Sequence, residues 1–276
     1  MSKLLGGAEL AEYIKERQAK QVRALRQAER VIPKLAILCS TSTSTVIDTY
    51  IRMKRRYGDD ILIETVVEAL VEADMPEAIQ RYNRDLSVHG IIIQLPLKNP
   101  VLTDDIVNRI APEKDVDGLG KEADFVSATA EAINWLLAGY GISLTGKKLT
   151  IVGHGRLVGA PLLKLWQSSG YDVTVLDEHS GDIAPILQQS DVIVSATGAP
   201  GLIRSDMVPI GAVLVDAGTA SENGVIVGDI NPDIYSLRND LLVTPPKGGV
   251  GPLTIATLFE HVIVAARRVA EQSKAE

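Results

Sequence analysis

Residues 150–161 read TIVGHGRLVGAP. A short apolar run leads into Gly153, Gly155 and Gly159, and a second apolar stretch follows, which is the pattern of a strand, a tight turn and a helix. Glycines suit such a turn because a backbone without Cβ can approach a pyrophosphate closely, at a helix N-terminus that favours anions. The spacing is GxGxxxG rather than GxGxxG, and alone it fits a plain strand-to-helix turn equally well. Context adds to it. The next run, DVTVLD (172–177), ends on Asp177, 24 residues beyond Gly153. A carboxylate near that distance commonly binds the adenosine ribose 2′-hydroxyl. The candidate dinucleotide-binding residues are therefore Gly153, His154, Gly155, Arg156, Gly159 and Asp177, joined by Thr197 and Gly198 at the end of DVIVSATG (191–198).

The same rhythm extends in both directions. Upstream, KLAILCS (34–40), ILIETVV (61–67) and GIIIQ (90–94) read as strands; downstream come KLTIVG (148–153), AVLVDAG (212–218) and LLVTP (241–245). The stretches between them read as helices, for example 76–82 with its flanks. An Ala-rich helix over 122–139 joins the two series, and a last helix runs from Pro252 to the end. This βαβ alternation predicts an α/β fold of two units, each a parallel sheet covered by helices. Ligands in such sheets bind beyond the carboxyl ends of the strands.

Composition narrows the function. The 276 residues are 46% hydrophobic and 23% charged, ordinary for a soluble globular chain. Aromatic content of 4% offers little stacking surface, and a net charge of -7 opposes a phosphate backbone, so no nucleic-acid partner is expected. Cys39 is the only cysteine, which precludes an internal disulfide. His89, His154, His179 and His261 share no metal-ligand spacing, so no metal site is expected. The start, MSKLLGGAEL, is too short and polar for a secretory signal, and no long apolar run predicts a spanning helix. A cytoplasmic protein with no membrane association is the expectation.

The first unit holds an oddity. In GIIIQLPL the buried strand ends on a long amide, Gln94, where turn-forming residues are usual. Upstream, a run of Ser and Thr (40–45) suits a turn, with Thr45 and Asp48 spaced as a capping box. The helix that follows puts Tyr50 and Lys54 one turn apart on one face. A lysine beside an aromatic on a semi-apolar face is partly desolvated, and desolvation lowers its pKa towards the range of acid–base work. An exposed helical lysine within RMKRR explains the spacing as well.

The combination carries more than its parts. Tyr50-x-x-x-Lys54, GIIIQLPL, KDVDG (114–118), VGHGRLVGAP and GGVGPLT (248–254), in this order, resemble the bifunctional methylenetetrahydrofolate dehydrogenase/methenyltetrahydrofolate cyclohydrolases over nearly the whole chain. The resemblance implies an N-terminal folate-binding catalytic domain (1–120, completed by a helix over 252–276). It also implies a Rossmann-like NAD(P)-binding domain (121–251). In its terms Lys54 handles protons at the reacting carbon, Gln94 poises Lys54, Tyr50 packs on the aminobenzoyl ring and Asp117 grips the pterin. Gly249 and Pro252 join Tyr50 and Asp117 as substrate-binding residues. The implied substrate is a tetrahydrofolate derivative, and a homodimer is expected.

Some residues depart from the family pattern. GLGKEADFVSATAEAINWLL follows Asp117 where the family has GFHPxNxG and then PCTPxG; Ile47 replaces a serine, and Lys247 a proline. NADP is the family's usual cofactor, with Arg156 and His154 as possible phosphate-binding groups. Asp177 and Glu178 instead lean towards NAD, since two carboxylates repel a 2′-phosphate. Two alternatives stand beside this reading: a shikimate-dehydrogenase-like enzyme, and a folate- or nucleotide-binding protein that has lost turnover.

Overall fold

The computed structural model describes residues 3–41, 45–222 and 225–275. In chain order the elements are β1 (Lys3–Leu4), α1 (Gly7–Ala28), β2 (Lys34–Ser40), α2 (Thr45–Ile61), β3 (Glu64–Leu70), α3 (Met75–Arg84), β4 (Gly90–Ile93), α4 (Thr103–Val107) and α5 (Ala128–Gly139). They continue with β5 (Leu149–Val152), α6 (Gly159–Ser168), β6 (Val173–Leu176), α7 (Ala184–Leu187), β7 (Val192–Ser195), β8 (Val213–Asp216), β9 (Ala220–Glu222), β10 (Val225–Val227), α8 (Asp233–Leu237), β11 (Leu242–Val243) and α9 (Val250–Ala275). The chain divides into two units: Glu12–Ala128 with Ile255–Glu276, and Met1–Ala11 with Thr129–Thr254.

In the first of these units β2 lies between β3 and β4, all parallel. Side chains of a strand alternate between faces. Leu35, Ile37 and Cys39 accordingly join a cluster with Ile47, Ile51, Phe259 and Val262, while Ala36 and Leu38 join one with Met75, Ile79, Ile91 and Ile93. Both faces are covered, which is why KLAILCS shows no polar alternation. The chain passes from β2 to β3 on one side and then to β4 on the other. Direction therefore reverses between β2 and β4, and the carboxyl ends of those strands form a switch point.

His89 enters β4 fully enclosed, at 4% exposure. Its Nδ1 accepts the Lys34 N–H at 3.2 Å, which requires a bare ring nitrogen. Burial first, then the Lys114 and Lys34 charges, pushes its pKa down to about 4. An unfolded histidine titrates near 6.5. The folded value is the lower one, so this stability is complete above about 6.5 and lost as pH falls towards 4. Denaturant titrations at pH 7 and 4.5 should show wild type losing about 2 kcal/mol more than His89→Asn, which keeps an acceptor and cannot protonate. Equal losses in the two proteins would refute the neutral buried imidazole.

The other unit is a six-stranded parallel sheet in the order β1-β11-β8-β7-β5-β6. Val152, Ile193, Leu214 and Val243 pack into one cluster with Leu187, Ile203 and Ile234. Ile151, Val192, Val194 and Val215 alternate with them and are also buried. β6 pairs on one side of β5 and β7 on the other, so a second switch point lies between β5 and β7. A short antiparallel hairpin, β9 with β10, stands apart from this sheet. Trp166 of α6 is wholly buried, and its indole N–H donates to Asn134 Oδ1 of α5 at 2.7 Å.

Several boundaries differ from the sequence expectation. The strand expected over 61–67 starts at Glu64, because Ile61 closes α2 and Leu62 turns the chain with φ of 65°. The helix expected over 122–139 starts at Ala128. Before it, the Asp124 N–H is taken by Pro112 O and the Lys121 N–H by Asn108 Oδ1, leaving no helical ladder. The last helix begins at Val250 rather than after Pro252, since proline's missing N–H is harmless in a first turn. Thr45 is the first residue of α2 rather than its cap, and the position before it lies outside the described residues.

The N-terminal residues also group differently from an expected first domain over 1–120. β1 pairs with β11, and the Gly6 N–H donates to Tyr140 Oη at 2.8 Å, so Met1–Ala11 goes with the sheet of six. Among the described residues one segment, Val250–Gln272 of α9, is long and apolar enough by length and composition to cross a membrane, and 67% of its most apolar window is buried inside the protein, as in the core helix of a globular fold.

Candidate active site

The oddity of Gln94 resolves at the first switch point. Gln94 follows β4, its N–H donating to Leu38 O at 2.7 Å to extend the ladder by one residue. Its side chain, buried at 8% exposure, turns to α2 and accepts a hydrogen bond from Lys54 Nζ at 2.8 Å. The amide's own Nε2 donates to Leu95 O at 3.1 Å, which fixes the oxygen towards the lysine. Lys54 is half-buried and reaches this point because α2 turns Ile47 and Ile51 into the core. Burial lowers the Lys54 pKa, and the Asp117 charge opposes that in part. Tyr50, one turn before Lys54, is also half-buried, and burial raises its pKa.

Asp117 sits in a loop built by its neighbours. Asp115, 2% exposed, accepts the N–H groups of Gly118 at 3.1 Å and Gly120 at 2.7 Å. Burial pushes Asp115 up to about 6 despite those bonds. Burial also raises the Asp117 pKa, against the lowering influence of Lys54 and His261. His261 of α9 is buried, its Nδ1 lying 2.8 Å from Val116 O and its ring stacked on Phe125 at 4.8 Å. Sequence reasoning weighed His261 only as a metal ligand and did not single out Asp115. The DVDG spacing held a signal for Asp115, but nothing local placed His261 beside residue 116. Among the described residues no group of three His, Cys, Asp or Glu side chains is arranged to hold a metal.

The second switch point gathers the glycine turn. Gly153 follows β5 with φ of 97°, and an added Cβ would meet Ala196 O, the residue after β7, at 2.5 Å. Gly159 opens α6, where a Cβ would collide with the Gly153 carbonyl. Gly155 differs from both. A Cβ there would find nothing nearer than Ala196 O at 4.0 Å, so its face is open space. Two glycines are thus required by the fold, and the third leaves room for a ligand to reach the backbone. This cradle fits a dinucleotide phosphate.

Around it, His154 is exposed and Arg156 half-buried, its pKa lowered by burial. Asp177 is exposed just past β6, and its Oδ1 accepts the His179 N–H at 2.9 Å and the Ser180 hydroxyl at 3.0 Å. Those bonds hold its carboxyl below the ordinary value. Thr197 and Gly198 are exposed beyond β7, with φ of 68° at Gly198. Gly249 lies just before α9, and Pro252 is the third residue of that helix.

A lysine–amide pair at one switch point and a glycine-lined cradle at another are the equipment of a two-domain α/β dehydrogenase. Residues 5–117 match the model of the tetrahydrofolate dehydrogenase/cyclohydrolase catalytic domain, and residues 127–270 match that of the NAD(P)-binding domain. The chain is 33% identical to the bifunctional protein FolD of Macrococcus caseolyticus, over 97% of this chain and 98% of that one. The bifunctional FolD enzyme of Campylobacter jejuni superposes with a TM-score of 0.90 at 31% identity, covering 97% of this chain and 99% of its own. The methylenetetrahydrofolate dehydrogenase-cyclohydrolase of Trypanosoma brucei, solved with NADP and an inhibitor, gives 0.88 at 27% identity, covering 97% and 98%. The chain belongs to the tetrahydrofolate dehydrogenase/cyclohydrolase family.

Proposed function

We propose that the chain oxidises 5,10-methylenetetrahydrofolate to the 5,10-methenyl compound with NAD(P)+ and hydrolyses that to 10-formyltetrahydrofolate. The observation that carries this is the Lys54–Gln94 bond, formed at a switch point within a matched catalytic domain. A bound nicotinamide would supply the hydride acceptor for the one-carbon bridge of the substrate. Gly153, Gly155, Gly159 and Arg156 would hold the dinucleotide, with Thr197 and Gly198 at the facing strand end. For the hydrolysis, Lys54 with its lowered pKa takes the proton of the attacking water. Gln94 Oε1 holds the amine in place. Asp117 binds the pterin, Tyr50 packs on the aminobenzoyl ring, and Gly249 and Pro252 complete the substrate contacts.

The altered segment after Gly118 is firmly tied down rather than degenerate. Besides the bonds already given, Arg268 pairs with Asp124 at 3.1 Å and lies over the Phe125 ring. With the lysine and amide in contact, a binding protein without turnover is the poorer reading. The decisive assay follows absorbance of the methenyl product and reduced dinucleotide, using methylenetetrahydrofolate with either NAD or NADP. Failure with both would overturn the proposal.

For the cofactor we favour NAD. Asp177 is held ionised by its turn, with the Glu178 carboxylate adjacent. That pair repels a 2′-phosphate and offers a charge-assisted bond to a 2′-hydroxyl. The expected result is a higher kcat/KM with NAD, and Asp177→Ser should shift the ratio towards NADP by about tenfold. A wild-type preference for NADP of about tenfold or more would reverse the assignment. The resemblance also carries with it a homodimer and a cytoplasmic location.

A further inference from the structure

The mechanism leaves unused two carboxylates in the six-stranded unit, one half-buried and one buried. Asp216 ends β8 and is half-buried; Asp229 follows β10 and is wholly buried. Between them the chain makes the excursion that includes β9 and β10. The Asp216 carboxylate closes that excursion by accepting the N–H groups of Gly218 at 3.0 Å, Asp229 at 3.1 Å and Ile230 at 3.0 Å. Asp229 is thereby set in place, and its Oδ2 reaches to β7. There it accepts the Ser195 hydroxyl at 2.7 Å and the Thr197 N–H at 2.7 Å.

The two carboxylates interlock through glycines. A Cβ on Gly218 would run into the Asp229 carboxylate, and one on Gly228 into that of Asp216. The glycines leave no space beside either carboxylate for a side chain, and Asp229 Oδ1 is buried with no hydrogen-bond partner among the described residues. Burying an acceptor without a partner costs free energy, so the arrangement is retained at a penalty. What it secures is the strand end facing the glycine turn, since Ala196 O lies against Gly153.

We infer that Asp229 is a positioning residue for the dinucleotide site, holding the Ser195–Thr197 strand end through the Asp216–Asp229 relay. This rests on the proposed dehydrogenase reading. Asp229 does not touch the reacting atoms; it acts through Thr197.

The protein's second activity supplies the control, because methenyl hydrolysis uses no dinucleotide. The test is fluorescence titration of reduced dinucleotide without folate, alongside cyclohydrolase kcat/KM on the same preparations. Asp229→Ala should raise the dinucleotide Kd by about tenfold or more, the effect of leaving buried donors without their acceptor. Cyclohydrolase kcat/KM should stay within about twofold of wild type, and Asp229→Asn, which keeps an oxygen acceptor, should restore Kd to within about threefold. If the alanine variant does not fold, Gly218→Ala decides, because its methyl displaces the same carboxylate without removing it.

A dinucleotide Kd within about twofold of wild type in Asp229→Ala or Gly218→Ala would overturn the inference. So would parallel loss of both functions in Asp229→Asn, since that marks a general structural role. Wild-type protein that binds neither dinucleotide would instead defeat the underlying dehydrogenase reading. Wild-type binding with unaffected variants defeats this inference alone.

Discussion

Lys54→Met should abolish conversion of the methenyl to the formyl compound while the protein stays folded. Loss of a positioned acid–base group costs about 10²–10⁴-fold in rate. Methionine preserves the apolar stem that lies along α2, so the loss belongs to the amine. Gln94→Ala should also be impaired, and the double variant should be no worse than Lys54→Met, because Gln94 Oε1 bonds the lysine itself. The pH profile gives the sign. Burial lowers the Lys54 pKa below 10.5, so the amine that accepts a proton is populated at lower pH than in an exposed lysine. Cyclohydrolase rate should therefore rise with pH and level off below the usual lysine range. A Lys54→Met protein within a few-fold of wild type would remove the lysine from the mechanism.

The glycine turn yields the second large effect, and it separates two roles by one methyl group. Gly155→Ala adds that methyl into open space, so thermal stability should be almost unchanged. The same methyl stands where a phosphate must approach the backbone, and dinucleotide affinity should fall by about tenfold to a hundredfold. Gly159→Ala meets the Gly153 carbonyl and should destabilise the unit by about 1–3 kcal/mol, with dehydrogenase activity lost alongside. Melting curves and dinucleotide titrations of both variants check this. A Gly155→Ala protein that binds as wild type would show that no phosphate sits there.

Why these residues were legible, and others not, follows from the range of the forces involved. β2 was readable over its full length because both its faces are buried and its apolar run is unbroken. Gln94 stood out because a buried strand ended on an amide. By contrast, ILIETVV was misread, since Ile61 and Ile63 are buried at a helix end and turn, which hydrophobicity alone does not distinguish from a strand. β1 has two residues, and its pairing with β11 joins segments separated by most of the chain, which no local pattern encodes. Asp115, His261 and Asp229 escaped for a related reason. The partners of Asp115 lie three to five residues away across a turn, those of His261 in the distant 116–125 loop, and those of Asp229 at the end of another strand; a carboxylate or imidazole looks the same in sequence whether exposed or enclosed.

The Trp166–Asn134 bond has a practical consequence for spectroscopy. Both tryptophans, Trp135 and Trp166, fall within Thr129–Thr254, and the other unit has none. Indole emission, excited selectively above the tyrosine band, is therefore a private signal of the six-stranded unit. Far-ultraviolet dichroism reports on the whole chain. Comparing the two during one denaturant ramp reveals whether the units melt together or in sequence, with no label attached.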